Sequence, residues 1–485
     1  MTRGRLATYW ALVAILFAAQ AAYTFAGLDR LWYEETAEGI RNPFWLDHRL
    51  VYDGISSNVG WYGLVLLAYR TFGFSAYMAK YVRLALHIPF LIATAALLKR
   101  WIGLDRAWIP LVAVALSPTL LYFNSLGTSF GTDVQLGVIV LWAVIVTIDR
   151  RRAGHNWLGV WHFAIGFAAM YACLVFPSFL VYLPVFALLY LSAAQGVHRR
   201  DVYTAFGWMA AGFAAPLCAA LVFLKNDAAF LWDPAAGGAG MFRGGGNAFA
   251  MDVHAALDAM SRVARDLYVA GGTYYFTVPN VEFSGALGLV AVSGVLLGWC
   301  AAVMKSGPTR TPLVLAAMLA VLSFVAPAFA GGLPGLRRST GIMVGFYVIA
   351  ACMWILPAAS DRVSQWAFRI ARFAAVLLVV HHIDVYPANY RYLAGLNGAV
   401  NDRWFSEFGS PSASVRQWAH DWVLNQRPLD CHRFPTCRYS EIYPAVSGYL
   451  KWNGLGEPPV FAVDPGSNHI LQLAPWYWES HTLEH

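Results

Sequence analysis

Apolar stretches of about 20 residues recur along this chain from residue 7 to about residue 384, and then they stop. As an α-helix, a stretch of that length crosses a hydrocarbon core of roughly 30 Å. Because a backbone in lipid must satisfy its own hydrogen bonds, such segments favour helices. Only 13% of the 485 residues are charged, whereas soluble domains carry about 25%. The sequence therefore predicts an all-α polytopic membrane protein.

We predict about eleven transmembrane helices. Their segments are 7–27, 79–98, 107–123, 133–149, 158–175, 177–195, 204–224, 284–304, 311–330, 340–358 and 369–384. The first is long and lacks a clear cleavage site, so we interpret it as a retained helix and not as a signal peptide. Between the first two spans, in segment 28–78, the stretch from Val59 to Phe72 is apolar but short for a span. We predict an interfacial helix there.

The loops alternate in charge along the chain. If the N-terminus is cytoplasmic, the cytoplasmic loops contain Lys99, Arg100, Arg106, Arg150, Arg151, Arg152, Arg199, Arg200, Lys305, Arg310 and Arg362, while the opposite loops are acidic. The positive-inside rule then predicts an N-in, C-out orientation. The same clusters account for the net charge of +7 without a nucleic-acid partner. The Ala- and Arg-rich composition, with no Asn-x-Ser/Thr sequon, favours a bacterial inner membrane.

The chain divides into a membrane module and a terminal domain. Residues 1–384 form the predicted transmembrane module, which includes a long external loop at 225–283. Residues 385–485 are predicted to form a small, soluble, extracytoplasmic domain of mixed α/β structure, with a strand at 458–463 between turn signals. An oxidising compartment would let Cys431 and Cys437 close a short disulfide loop there. Two unpaired thiols are the alternative.

Carboxylates near the external ends of two spans are candidates for acid–base chemistry. Glu34 and Glu35 follow the first span, where one of them could accept a proton from an incoming hydroxyl group. Solvated loop charge is the alternative for this pair. Asp133 opens the fourth span, where it could act at a site or simply cap the helix.

Arg337 and Arg338 are an exception to the charge pattern, because they lie in a short external loop. Guanidinium groups bind phosphate oxygens bidentately, so the pair is a candidate for binding a lipid phosphate. Snorkelling to headgroups is the alternative. His381 and His382, with Asp384, end the last span. Adjacent helical residues point to different sides, so we favour interfacial anchoring over a metal site for the histidines.

The order of these elements resembles the GT-C superfamily of membrane glycosyltransferases, which includes protein O-mannosyltransferases and lipid A aminoarabinose transferases. The resemblance covers residues 1–200 best. It rests on the acidic stretch Trp32 to Arg41, on Phe72-Gly73 with Val82-Arg83-Leu84, on Leu116 to Tyr122, and on Thr132-Asp133. The first carboxylate is Glu where the family more often has Asp, and Asn58 to Trp61 replaces a Pro-Pro-Leu stretch.

The resemblance implies transfer of a sugar from a polyprenyl-phosphate carrier to an acceptor hydroxyl at the extracytoplasmic face. Glu34 would be the catalytic base, with Glu35 beside it and Asp133 as its helper. Arg337, Arg338 and Arg83 would bind the donor phosphate. We predict no definite cofactor, although a divalent cation such as Mg²⁺ or Mn²⁺ could assist. The alternatives are a multi-span transporter and a non-catalytic subunit of an envelope assembly machine.

Overall fold

The structure of the protein is a computed structural model. It describes residues 3–27, 58–73, 77–154, 159–194, 199–224, 253–268, 280–304, 310–329, 336, 339–355 and 361–408. These residues form fourteen α-helices and no strand.

The helices follow the apolar pattern of the sequence. They are α1 (Arg3–Ala26), α2 (Val59–Phe72), α3 (Met78–Ile102), α4 (Leu104–Ala115), α5 (Pro118–Ser125), α6 (Thr132–Arg152), α7 (Gly159–Val175), α8 (Tyr182–Ala193), α9 (Arg199–Leu224), α10 (Val253–Tyr268), α11 (Gly285–Val303), α12 (Arg310–Phe329), α13 (Gly341–Cys352) and α14 (Arg362–Phe408). A 3₁₀ turn, Pro177–Val181, leads into α8.

The protein is a helical multi-pass membrane protein. By length and composition, α1, α3, α6, α9, α11 and α14 are each able to cross a membrane, and α4 with α5 adds a seventh, bent span. Four shorter apolar segments lie in α7, in the 3₁₀ turn with α8, in α12 and in α13. Each of the eleven predicted segments coincides with one of these elements. The number of spans and the N-in orientation remain predictions.

The predicted third span is a broken helix. The axes of α4 and α5 differ by 56°, with the break at Leu116 and Ser117. The Ser117 hydroxyl accepts a hydrogen bond from the Leu120 backbone N–H at 3.2 Å, and Pro118 takes the first helical position. A serine cap followed by proline is a helix-start signal. The prediction of one continuous helix over 107–123 is therefore wrong.

Helices α7 and α9 approach each other closely through two glycines. A Cβ atom on Gly166 would overlap the Met209 carbonyl, and one on Gly212 would overlap the Phe163 carbonyl. Helices in lipid associate through such small residues, because tight backbone packing replaces the hydrophobic effect. This contact fixes α9 against the bundle.

Several predictions for the loops can be compared with the structure. Helix α2 has the bounds predicted for the interfacial helix, and its Trp61, Tyr62 and Tyr69 are fully buried. The segment predicted as a long external loop contains helix α10. Helix α14 continues past the predicted end of the last span at 384, as far as Phe408. The remainder of the predicted terminal domain, including Cys431 and Cys437, lies outside the described residues.

Candidate active site

Arg83 is a fully buried cation on α3. Its NH2 group donates to the Phe130 carbonyl at 2.7 Å and to Oδ1 of Asn124 at 3.3 Å, and NH1 lies 3.4 Å from the Thr128 carbonyl. The guanidinium carbon also lies 6.0 Å from the ring centroid of Trp61. A short loop between α5 and α6 therefore wraps the arginine with its carbonyl oxygens.

Gly131 allows this loop to close. Its φ of +74° lies in the left-handed region, which side chains disfavour. A Cβ atom there would also lie 3.0 Å from Cβ of Phe123 and 3.1 Å from NH2 of Arg83. Glycine is thus required both by the backbone conformation and by the space beside the guanidinium group.

One turn further along α3, His87 faces the same space. Its Nδ1 lies 3.3 Å from Nδ2 of Asn124 and 3.4 Å from Nε2 of Gln135. Because both amide nitrogens donate, Nδ1 accepts and the proton of a neutral ring resides on Nε2. That Nε2 is buried without a hydrogen-bond partner in the described ranges.

Asp133 lies in the first turn of α6 and is 1% exposed. Oδ1 accepts a hydrogen bond from the Thr340 hydroxyl at 2.7 Å, which joins residues 207 positions apart in the chain. The charges of Asp133 and Arg83 interact, although no direct ion pair joins them among the described contacts. The positive end of the helix dipole also favours a carboxylate at this position.

We call this set of buried polar residues the Arg83 cluster. It consists of Arg83, His87, Asn124, Asp133, Gln135 and Thr340.

The Arg83 cluster has several buried polar atoms with no hydrogen-bond partner in the part of the chain that the structure describes. They are Nε of Arg83, Nε2 of His87, Oδ2 of Asp133 and Oε1 of Gln135. An unsatisfied buried polar group costs about 1–3 kcal/mol, so proteins retain few of them. Both donors and acceptors are among these atoms, so the cluster has unused capacity for polar contacts.

The start of α13 is packed tightly beside the cluster. A Cβ atom on Gly341 would overlap Oγ of Ser323 and would lie 3.1 Å from the Tyr182 hydroxyl. Those two hydroxyl oxygens are also buried without a hydrogen-bond partner among the described residues. The absence of a side chain at Gly341 thus lets the preceding Thr340 reach Asp133.

Two solved structures resemble this chain over almost its whole length. The crystal structure of ArnT from Cupriavidus metallidurans bound to undecaprenyl phosphate has a TM-score of 0.57 at 12% sequence identity, covering 98% of this chain and 89% of that chain. The apo structure of the same ArnT has a TM-score of 0.51 at 14% identity, covering 97% and 89%. The chain therefore shares the fold of this ArnT. No protein-family model and no curated protein matches the sequence.

The shared fold bears out the predicted resemblance, and it covers the chain beyond residue 200 as well. Of the predicted site residues, the structure brings Arg83 and Asp133 into one buried cluster. Glu34, Glu35, Arg337 and Arg338 lie outside the described residues, so their roles remain predictions.

The partners of Arg83 and Asp133 are not evident from the sequence. A polar residue in or beside an apolar helix is a signal that could have identified them. The residues that carry this signal are His87, Asn124, Gln135 and Thr340. Their pairing depends on helix packing, which the residue pattern did not reveal.

The interpretation of the last two histidines needs correction. His381 and His382 are 4% and 0% exposed, and Nε2 of His382 lies 3.2 Å from Glu282. Interfacial anchoring is therefore wrong, because both rings are inside the protein. Within the described ranges, no group of three or more His, Cys, Asp or Glu residues is arranged to hold a metal ion.

Proposed function

We propose that this protein is a membrane glycosyltransferase. It moves a sugar from a polyprenyl-phosphate carrier to an acceptor hydroxyl at the extracytoplasmic face of a bacterial inner membrane. The observation that carries this proposal is that each of the two segments with the remaining predicted site residues has at least one described end anchored at or beside the Arg83 cluster.

The segment that contains Glu34 and Glu35 is flanked by two described residues, and each of them is hydrogen-bonded near Arg83. Gly27, before it, accepts a hydrogen bond from Nζ of the buried Lys80 at 2.9 Å, and Lys80 lies one turn from Arg83 on α3. Asn58, after it, donates to Oγ of Ser129 at 2.7 Å, in the loop that wraps Arg83. These anchors support the proposal that Glu34 and Glu35 act beside Arg83.

The arginine pair is also flanked by two described anchors. On one side, the Leu336 backbone N–H donates to Oδ2 of the buried Asp266 on α10 at 3.2 Å. On the other side, Thr340 donates to Asp133. Only Ser339 separates Thr340 from the pair in the sequence. We therefore propose that Arg337 and Arg338 bind the phosphate at the Arg83 cluster.

The chemistry of the transfer suits these residues. The acceptor oxygen forms a bond to the anomeric carbon of the sugar, and its proton passes to Glu34. The bond from that carbon to the phosphate oxygen breaks, and the lipid phosphate leaves with the electron pair. Cations stabilise the charge that develops on the leaving phosphate, more so where water is scarce. Arg83, Arg337 and Arg338 would supply them, while Asp133 orients the loop through Thr340.

The GT-C fold supports the choice of donor. The ArnT structure that resembles this chain holds undecaprenyl phosphate. We propose the same class of lipid for this protein and leave the sugar and the acceptor to experiment. A transporter gains no support from this fold.

The proposal is tested with purified protein in nanodiscs. A panel of undecaprenyl-phosphate sugars with a radiolabelled sugar is supplied, and lipid phosphate release and transfer to added lipid or glycan acceptors are followed. We expect the wild type to consume at least one donor, and Glu34→Gln and Asp133→Asn to lower its turnover at least about a hundredfold.

Asp201→Asn is the matched control. Asp201 also lies in the first turn of an apolar helix, α9, but it is exposed. It should retain wild-type turnover. Full activity of folded Glu34→Gln and Asp133→Asn would rule out the assigned roles, and no consumption of any donor would favour a non-catalytic subunit.

A further inference from the structure

A second cluster of buried polar residues lies apart from the Arg83 cluster. We call it the Glu282 cluster, and it consists of Ser117, Glu282, Tyr347 and His382. Ser117, Glu282 and His382 are fully buried, and Tyr347 is 6% exposed. The four residues come from four separate parts of the chain, and the proposed transfer uses none of them.

Both carboxylate oxygens of Glu282 are engaged. Oε2 accepts from the Ser117 hydroxyl at 2.6 Å and from the Thr119 backbone N–H at 3.3 Å. Oε1 accepts from the Tyr347 hydroxyl and lies 3.2 Å from Nε2 of His382. Burial acts to raise the pKa of Glu282, but the His382 imidazole with the Ser117 and Tyr347 hydroxyls holds it below its ordinary value.

The contacts of His382 define its position. Its Nδ1 lies 2.8 Å from the Ala113 carbonyl oxygen, which can only accept, so Nδ1 carries a proton. Its Nε2 faces Oε1 of Glu282 at 3.2 Å. Contacts between buried ionisable groups contribute little net stability, so a role in specifying geometry is the better explanation.

The Glu282 cluster surrounds the break between α4 and α5. At the end of α4, the Ala113 carbonyl accepts from His382 and lies 3.3 Å from the Tyr347 hydroxyl. At the start of α5, Glu282 accepts from Ser117 and from the Thr119 N–H. A broken helix at membrane depth is tolerated only where its freed backbone groups find partners inside the protein. The cluster supplies those partners on both sides of the break.

The direction of α5 matters for the candidate active site. Asn124, near the end of α5, contacts both Arg83 and His87, and the loop that follows supplies the Thr128 and Phe130 carbonyls. We infer that the Glu282–His382 pair is a positioning device, which fixes α5 and thereby sets the geometry of the Arg83 cluster. Glu282 and His382 are positioning residues and not catalytic ones.

The first test is independent of the proposed function. Hydrogen–deuterium exchange is measured on full-length wild type, Glu282→Gln and Tyr386→Phe. The control residue Tyr386 lies one turn from His382 and donates to the Ala19 carbonyl at 2.7 Å, not to a residue of the Glu282 cluster. We expect Glu282→Gln to speed exchange in residues 113–131 about tenfold, with little change elsewhere, as for local opening. Unchanged exchange there would overturn the inference, as would an equal effect of Tyr386→Phe.

The second test rests on the proposed function and measures the affinity of folded protein for undecaprenyl phosphate. We expect Glu282→Gln and Asn124→Ala each to weaken binding about tenfold, and the double variant to be little weaker than either alone. Such non-additive effects on affinity are expected of residues that act through the same helix. Partial unfolding of the variants would not produce this non-additivity, because affinity is measured on folded protein. Additive effects would overturn the positioning role.

The outcomes separate the two proposals. If the wild type does not bind the lipid, the proposed function fails while the exchange experiment still decides whether Glu282 holds the break. If the wild type binds and Asn124→Ala weakens binding but Glu282→Gln does not, only the positioning inference fails. Should Glu282→Gln not fold, Tyr347→Phe, which loses one hydroxyl group of the cluster, serves both tests.

Discussion

Replacing Arg83 by lysine keeps the charge and changes the geometry. The guanidinium group reaches three acceptors, at 2.7, 3.3 and 3.4 Å, from two of its nitrogens. The single ammonium nitrogen of lysine cannot donate to all three acceptors with the geometry of the guanidinium group. We expect the lysine to retain the short bond to Phe130 and to leave Thr128 and Asn124 without this donor.

The magnitude follows from those two acceptors. Each loses a long hydrogen bond inside the protein, at about 1 kcal/mol apiece, and the contact with Trp61 adds about 0.5–1 kcal/mol. We therefore expect Arg83→Lys to lower the free energy of unfolding by about 2–3 kcal/mol. Equilibrium unfolding in mixed micelles, followed by circular dichroism, measures this difference.

Arg369→Lys is the matched control for this substitution. The guanidinium carbon of Arg369 lies 5.6 Å from the ring centroid of Trp366, but both residues are exposed. Its replacement should change the free energy of unfolding by less than about 0.5 kcal/mol. Equal effects of the two lysine substitutions would refute the argument that the Arg83 fork holds the loop.

Three further predictions concern packing and charge. Gly166→Ala should destabilise the protein by about 2 kcal/mol, because its Cβ would overlap a carbonyl of α9, whereas Gly207→Ala, which meets no atom within 4 Å, should be neutral or stabilising in the same unfolding assay. Gly341→Ala should displace Thr340 and weaken undecaprenyl phosphate binding at least about tenfold, and unchanged affinity would contradict the packing argument. The folded-state pKa of Glu282 lies below its ordinary value of 4.5, so its contribution to the free energy of unfolding should be present above that pH and lost as the pH falls. Glu282→Gln should therefore flatten the dependence of the free energy of unfolding on pH.

The helices were predictable because apolar length is a strong local signal. Each predicted span coincides with a helix or a pair of helices, and the bounds of α2 match the segment from Val59 to Phe72. The break in the third span was missed, although Ser117-Pro118 is a local signal for a new helix start. The continuous apolar stretch over 107–123 favoured one helix, and the serine–proline signal within it was not used.

The site was predictable in part. Asp133 is marked by its position at the start of a span and Arg83 by the family resemblance, and both are buried in one cluster. Their contacts with Asn124 and Thr340 join residues 41 and 207 positions apart, which depends on how the helices pack. Glu282 lies in the predicted external loop 225–283, yet it is fully buried. Its partners are distant in the chain, so no local pattern marked it.

We propose that the Arg83 cluster is part of a polyprenyl-phosphate site. An experimental structure of the full chain with undecaprenyl phosphate tests this directly. We expect the phosphate to lie beside the Arg83 cluster and within hydrogen-bond distance of Arg337 or Arg338, with Glu34 or Glu35 facing it. A phosphate bound elsewhere, or these residues scattered over separate surfaces, would contradict it.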